Sequence, residues 1–240
     1  IGTWIASNLP WVVTKLGVSN EAGPGVVPPS VKIAFAIGAF VFISSILYTI
    51  FTTSEYPPDE QKLENNQNSF VKDIFTSILK MPSTMKKLGI IQFFSWFAFF
   101  VMWSLATPAL TEHVFKAPSP IMDQYNMQIE EEAYQFELDN KKYQDAADLV
   151  GSYMGTYGLS SMAFALLLTL YTSKRRINRK MTHMISLLLG GSGFIIMRFI
   201  DNPNWLILSF MLIGISWGSI LSMPYAMLSS SIDENKMGLY

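Results

Sequence analysis

Five stretches of the chain carry no Asp, Glu, Lys or Arg at all. They lie between Lys32 and Glu55, Lys87 and Glu112, Asp148 and Lys174, Lys180 and Arg198, and Asp201 and Asp233. A bilayer core about 30 Å thick is crossed by roughly 20 apolar residues of helix, so each stretch predicts a transmembrane helix. The shortest, 181–197, gives about 26 Å of helix at 1.5 Å per residue. Snorkelling of Lys180 and Arg198 completes that crossing. A sixth segment, 1–18, is apolar and aromatic but reads as truncated, with Pro10 inside it and Lys15 near its end. So many uncharged stretches do not fit a soluble core. The pattern predicts an all-α membrane protein with about six transmembrane helices.

Successive spans alternate in direction, so their connections fall into two classes. One holds 53–87, 174–180 and the stretch around Lys236; the other holds 19–32, 112–148 and 201–204. Lys and Arg concentrate in the first class, which the positive-inside rule places in the cytoplasm. The run Lys174-Arg175-Arg176-Ile177-Asn178-Arg179-Lys180 reads as this topology signal. A phosphate-binding or calmodulin-like role is the sharper alternative. In 53–87, Ser54-Glu55-Tyr56-Pro57-Pro58 ends the second span, because proline cannot continue a helix and restrains the residue before it. After the polar stretch 64–68, Phe70, Ile74, Ile78 and Met81 recur at helical spacing between Lys72 and Lys80. They predict a short amphipathic helix on the cytoplasmic membrane surface. On the outer side, Ile129, Ala133, Phe136, Tyr143, Ala147 and Val150 follow a heptad-like pattern. They predict a helix that rises above the membrane and runs into the fourth span. Glu137 and Lys141 are spaced for a helical pair. Glu130-Glu131-Glu132 reads as a solvated face, with cation collection or partner recognition as the alternative.

Composition agrees. Hydrophobic residues make up 50% of the chain and charged residues 15%, where a soluble domain carries charge on about a quarter of its positions. Mean hydropathy is +0.28. A net charge of −1 gives no reason to expect nucleic acid as a partner, and the absence of cysteine excludes disulfides, thiolate metal sites and cysteine nucleophiles. No metal or cofactor is expected. The chain opens inside an apolar helix without a charged n-region or cleavage site, and it closes where another apolar segment begins, as a piece of a longer chain would.

Ionisable groups at membrane depth mark ion paths, and here they are nearly missing. His183 lies near the cytoplasmic end of its span and reads as an interfacial residue rather than a proton relay. Arg198 and Asp201, three apart at an outer end, read as a helix-end anchor. Without a buried acid–base or nucleophile constellation, an intramembrane enzyme is not expected. Uncharged polarity remains. Gln92, Trp96, Phe99, Trp103 and Thr107 recur at spacings of four, three, four and four, and share one helix face. Indole faces suit the C–H faces of sugars, and the amide pairs with hydroxyls. The same stripe also fits aromatic packing with interfacial tryptophans. In the last span Gly214, Gly218, Ser222, Tyr225 and Ser229 form a second stripe. Its GxxxG step lets a backbone come close, and Pro224 frees the carbonyl of Ile220. Gly190-Gly191-Ser192-Gly193 lies inside a span with no preceding strand, so it predicts helix packing rather than a phosphate loop.

Several strings resemble a family. Leu9-Pro10-Trp11, Gly17-Val18-Ser19-Asn20, residues 28–32 and Phe51-Thr52-Thr53-Ser54-Glu55-Tyr56-Pro57-Pro58 look like the fifth and sixth helices of bacterial sugar transporters. Those are relatives of the plant sucrose/proton symporters, of glycoside–pentoside–hexuronide:cation symporter type, in the major facilitator superfamily. Gln92-Phe93-Phe94-Ser95-Trp96-Phe97-Ala98 is similar to the seventh helix. Ile215-Ser216-Trp217, Ser222-Met223-Pro224-Tyr225-Ala226-Met227-Leu228 and Asn235-Lys236-Met237-Gly238 are similar to the tenth helix and the loop after it. Residues 116–144 look like an insertion of variable length. The resemblance implies part of a twelve-helix bundle. Residues 1–53 would be the last two helices of the N-terminal half and 54–87 the central cytoplasmic loop. Residues 88–240 would be the first four helices of the C-terminal half, with an extracytoplasmic insertion at about 112–148. It implies alternating-access import of a disaccharide or related glycoside with a proton, by a protein monomeric at full length in a bacterial cytoplasmic membrane. Gln92, Trp96, Trp103, Ser222, Tyr225 and Asn8 would face the sugar, and the charged coupling residues would lie in the first four helices. Sodium coupling and a non-transporting sugar sensor on the same fold are the alternatives.

Overall fold

The computed structural model describes residues 2–22, 26–54 and 81–231. Its helices are α1 (Gly2–Lys15), α2 (Pro29–Thr52), α3 (Ser83–His113), α4 (Glu130–Thr172), α5 (Arg179–Met197) and α6 (Leu206–Ser229). Short 3₁₀ turns stand at Met122–Gln124 and Pro203–Trp205, and no strand occurs among the described residues. Helices α2 to α6 are long and apolar enough to cross a membrane. Helix α1, at 14 residues, falls short of the roughly 20 that a crossing takes.

Local signals set the helix ends. Helix α2 starts on Pro28-Pro29, with proline at its first position where a missing N–H costs nothing, and stops at Thr52 before extended Thr53. The Glu55–Pro58 string lies outside the described residues. So do the polar stretch 64–68, the surface helix expected from Phe70, Ile74 and Ile78, and the connection around Lys236. Asn178 caps α5, its side-chain oxygen accepting from the Met181 N–H at 3.1 Å.

Helix α4 has 43 residues, about 64 Å at 1.5 Å each, roughly twice what the bilayer takes up. It therefore extends beyond the bilayer, and the run from Glu130 into the fourth span is one continuous helix, as the heptad-like pattern predicts. Glu130, Glu131 and Glu132 occupy its first turn, where carboxylates complement the positive end of the helix dipole. Glu132 also accepts from the Asn126 N–H at 2.5 Å, so this acidic run starts a helix as well as facing solvent. The expected Glu137–Lys141 pair is not formed. Lys142 pairs instead with Asp139 at 3.3 Å, which also accepts from Gln135 at 3.0 Å and Tyr125 at 3.1 Å. Asp139 wins because three donors converge on it. The Gln135 bond first, then Lys142 and Tyr125, hold its carboxyl below the ordinary value against the opposing effect of desolvation.

Helix α6 is the centre of the bundle, with Leu206, Phe210, Ile213 and Ile220 all buried. It packs most extensively on α5 and next on α4. A Cβ on Gly214 would collide with the Tyr157 carbonyl, and one on Gly218 would lie 3.0 Å from the Phe164 ring. The GxxxG step thus brings α6 against the backbone of α4, the close approach it predicts. Gly190 and Gly193 do the same from α5: a Cβ on Gly190 would meet the Ser216 side chain, and one on Gly193 the Ser209 carbonyl at 2.8 Å. Another seam is not anticipated by the sequence. Helix α1 crosses α4 where a Cβ on Gly158 would lie 2.8 Å from Thr3. Helix α2 packs on α1 and leaves Phe35, Phe40 and Phe51 more than 70% exposed, an apolar surface suited to lipid or further helices.

Candidate substrate-facing site

The polar-aromatic face of α3 turns toward α6. Phe99 is its floor, 2% exposed. Trp96 and Trp103 rise on either side of it, 41% and 38% exposed. From α6, Trp217 fits among all three. Its ring centroid lies 5.4 Å from Trp96, 4.8 Å from Phe99 and 5.4 Å from Trp103. Tyr157 of α4 closes the side, 6.3 Å from Trp217, and Phe194 of α5 stands 6.0 Å from Phe99. Edge-to-face geometry dominates, which aromatic rings prefer because of their quadrupoles.

Gln92 sits one turn before Trp96 on the same face. Its Nε2 donates to the Ile220 carbonyl at 3.3 Å. That is the carbonyl left without a helical partner by Pro224, so α3 repairs the break in α6. The Gln92 Oε1 is buried without a partner. A buried acceptor of this kind is costly unless something donates to it, as a ligand hydroxyl would.

The other residues singled out in the sequence are dispersed. Tyr225 is 59% exposed, two turns beyond Trp217. Ser222 is exposed and donates its hydroxyl to the Gly218 carbonyl at 2.7 Å, so its lone pairs remain for a ligand. Asn8 donates to the Trp4 carbonyl at 2.8 Å and accepts from Ser152 at 2.9 Å, in the seam between α1 and α4. Trp217 and Tyr157 were not anticipated as site residues, although Trp217 stands inside the quoted Gly214–Gly218 step.

Two expectations about ionisable residues are corrected. His183, near the start of α5, is enclosed between helices rather than facing lipid or water. Its ring is 3% exposed in the α5–α6 seam, with Nδ1 2.8 Å from the Ser219 hydroxyl and Nε2 unpartnered. The small Gly190, Gly193 and Ser216 positions draw the two helices close enough to enclose it. Arg198 does not pair with Asp201; its Nη1 lies 3.3 Å from His113 Nε2, which also lies 3.3 Å from the Arg198 carbonyl. One ring nitrogen serves one of these partners at a time, according to its tautomer. This contact closes one end of an apolar groove of about 620 Å³ between α3 and α5, walled by Phe97, Val101, Leu105 and Phe194.

Five apolar helices of membrane-crossing length, joined through small-residue seams, define a polytopic helical membrane protein. Residues 10–240 match the family model of the Major Facilitator Superfamily, and the chain belongs to that superfamily of secondary transporters. No curated protein and no solved structure matches it.

Proposed function

We propose that this chain is part of a secondary active transporter that imports a disaccharide or related glycoside with a proton, by alternating access. The observation that carries the reading is the tryptophan group of α3 and α6. Trp96, Trp103 and Trp217 offer partly open indole faces beside the unpaired Gln92 Oε1. Flat apolar faces and one hydrogen-bond acceptor are what a sugar ring requires, with C–H groups on its faces and hydroxyls on its edge. A charged substrate would call for an opposite charge, and none of the residues that form this face carries one. Tyr225 and Ser222, further along α6, and Asn8, in the α1–α4 seam, are retained as sugar-facing candidates on the family resemblance.

In this reading 1–53 and 88–240 belong to two halves joined by the loop 54–87. The coupling residues lie in helices that precede this segment, the full protein works as a monomer in a bacterial cytoplasmic membrane, and no cofactor takes part. Proton coupling rests on the family resemblance of the strings around Gln92 and Tyr225. The test is sugar uptake by the full-length protein in vesicles. Uptake should saturate and collapse on addition of an uncoupler, and should persist when sodium is replaced. Trp96→Ala should weaken affinity about ten-fold, the loss of one aromatic contact worth about 1.4 kcal/mol. Phe99→Leu, in the buried floor, should lower stability and spare affinity. Uptake indifferent to the proton gradient defeats symport, and unchanged affinity in Trp96→Ala removes the indole from the site.

A further inference from the structure

The inner ends of α4, α5 and α6 enclose a second concavity, of about 850 Å³. Its rim carries Arg175, Arg176, Arg179 and Lys180, and its wall includes Leu168, Ile177, Met223 and Met227. Among the described residues no Asp or Glu lines it. Arg179 is already engaged: Nη1 donates to the Ala226 carbonyl at 2.6 Å, at the carbonyl-rich end of α6 where a cation is favoured. The side chains of Arg175, Arg176 and Lys180 make no ion pair or hydrogen bond among the described residues. Several like charges held round one hollow repel one another, and an anion seated among them removes that cost. A positive-inside bias needs basic residues on this side of the membrane but does not need them gathered round a pocket.

The apolar wall distinguishes between anions. A small soluble anion gains nothing from Leu168, Ile177, Met223 or Met227. An amphiphile gains from both parts, since these residues lie where spans end and headgroups begin. A zwitterionic headgroup brings its own cation into a ring of cations, so a net negative headgroup is preferred. We infer that this pocket binds the phosphodiester headgroup of an anionic phospholipid from the leaflet on the basic side, with part of an acyl chain along the apolar wall. Arg175, Arg176 and Lys180 hold the phosphate, while Arg179 fixes the pocket by tying the start of α5 to the end of α6. The inference depends on the membrane topology and not on the sugar assignment.

The protein is purified into nanodiscs of phosphatidylcholine, alone or mixed with phosphatidylglycerol, and its thermal midpoint is measured. Bound lipid is then counted by native mass spectrometry after transfer to detergent. Phosphatidylglycerol should raise the midpoint and remain bound, because a ligand selective for the folded state stabilises it. Arg175→Gln/Arg176→Gln should bind it about thirty-fold more weakly. Arg198→Gln, at the opposite membrane face, should bind it like the parent. Millimolar inorganic phosphate should not displace it. Equal midpoints in the two lipid mixtures overturn the proposal without recourse to any variant. So does equal retention by the double variant, and displacement by inorganic phosphate would assign the pocket to a free anion instead.

Discussion

Gln92 shows how one side chain serves packing and ligand at once. Pro224 has no N–H, so Ile220 loses its helical partner inside the membrane, where an unpaired carbonyl is expensive. The Gln92 Nε2 at 3.3 Å supplies the missing donor. Gln92→Ala should therefore destabilise the protein by about 1–3 kcal/mol, the usual cost of an orphaned buried acceptor. Pro224→Ala restores the N–H, and in that background Gln92→Ala should cost far less. Unfolding midpoints of the two single variants and the double variant measure the difference, and additive losses would show that the amide and the proline are not coupled. Half of this pairing was legible in the sequence: the freed carbonyl follows from the position of Pro224, and the stripe from the spacing of Gln92, Trp96 and Trp103. That the two meet was not, because residues 128 apart are brought together by the α3–α6 packing alone. Trp217 escaped for a related reason. A bulky residue between two packing glycines reads as a spacer until the neighbouring helix is known, and here the glycines face α4 while the indole faces α3.

At the scale of the helices, small residues decide which neighbours touch. A Cβ on Gly214 would run into the Tyr157 carbonyl, a backbone atom that cannot swing away. Gly214→Ala should cost about 2–3 kcal/mol through overpacking and should loosen α4 from α6. Gly191, by contrast, has nothing within 4 Å of its Cβ position. Gly191→Ala should be neutral or gain up to about 1 kcal/mol from helix propensity. Denaturation of the two variants side by side separates the contact from a general effect of glycine loss, and equal behaviour would remove the seam from the account. The helices themselves were readable because lipid imposes long uncharged runs, and all five such stretches became helices. The extramembrane half of α4 was readable from its apolar spacing. Its polar contacts were not, since Asp139 is chosen by three converging donors and Lys141 loses to Lys142 by one position on the helix.

For the whole molecule, orientation is the property on which both the carrier reading and the lipid pocket depend. It rests on an asymmetry of charge. The α4–α5 connection carries Lys174, Arg175, Arg176, Arg179 and Lys180, whereas the α3–α4 connection leads into Glu130, Glu131 and Glu132. Moving the basic connection across the membrane would work against the potential at about 2.3 kcal/mol per charge per 100 mV, and in the proposed orientation it stays on the side of synthesis. The chain has no cysteine, and introduced ones report without background. Ser119 is exposed in the connection before α4, and Ser173 is exposed at the end of that helix. Ser119→Cys should react with a membrane-impermeant maleimide added to intact cells. Ser173→Cys should react only after the membrane is opened. Both positions flank one helix, so a consistent fold requires opposite answers. The reverse pattern inverts the topology and places the arginine pocket outside, and labelling of both from outside would mean that α4 does not cross the membrane.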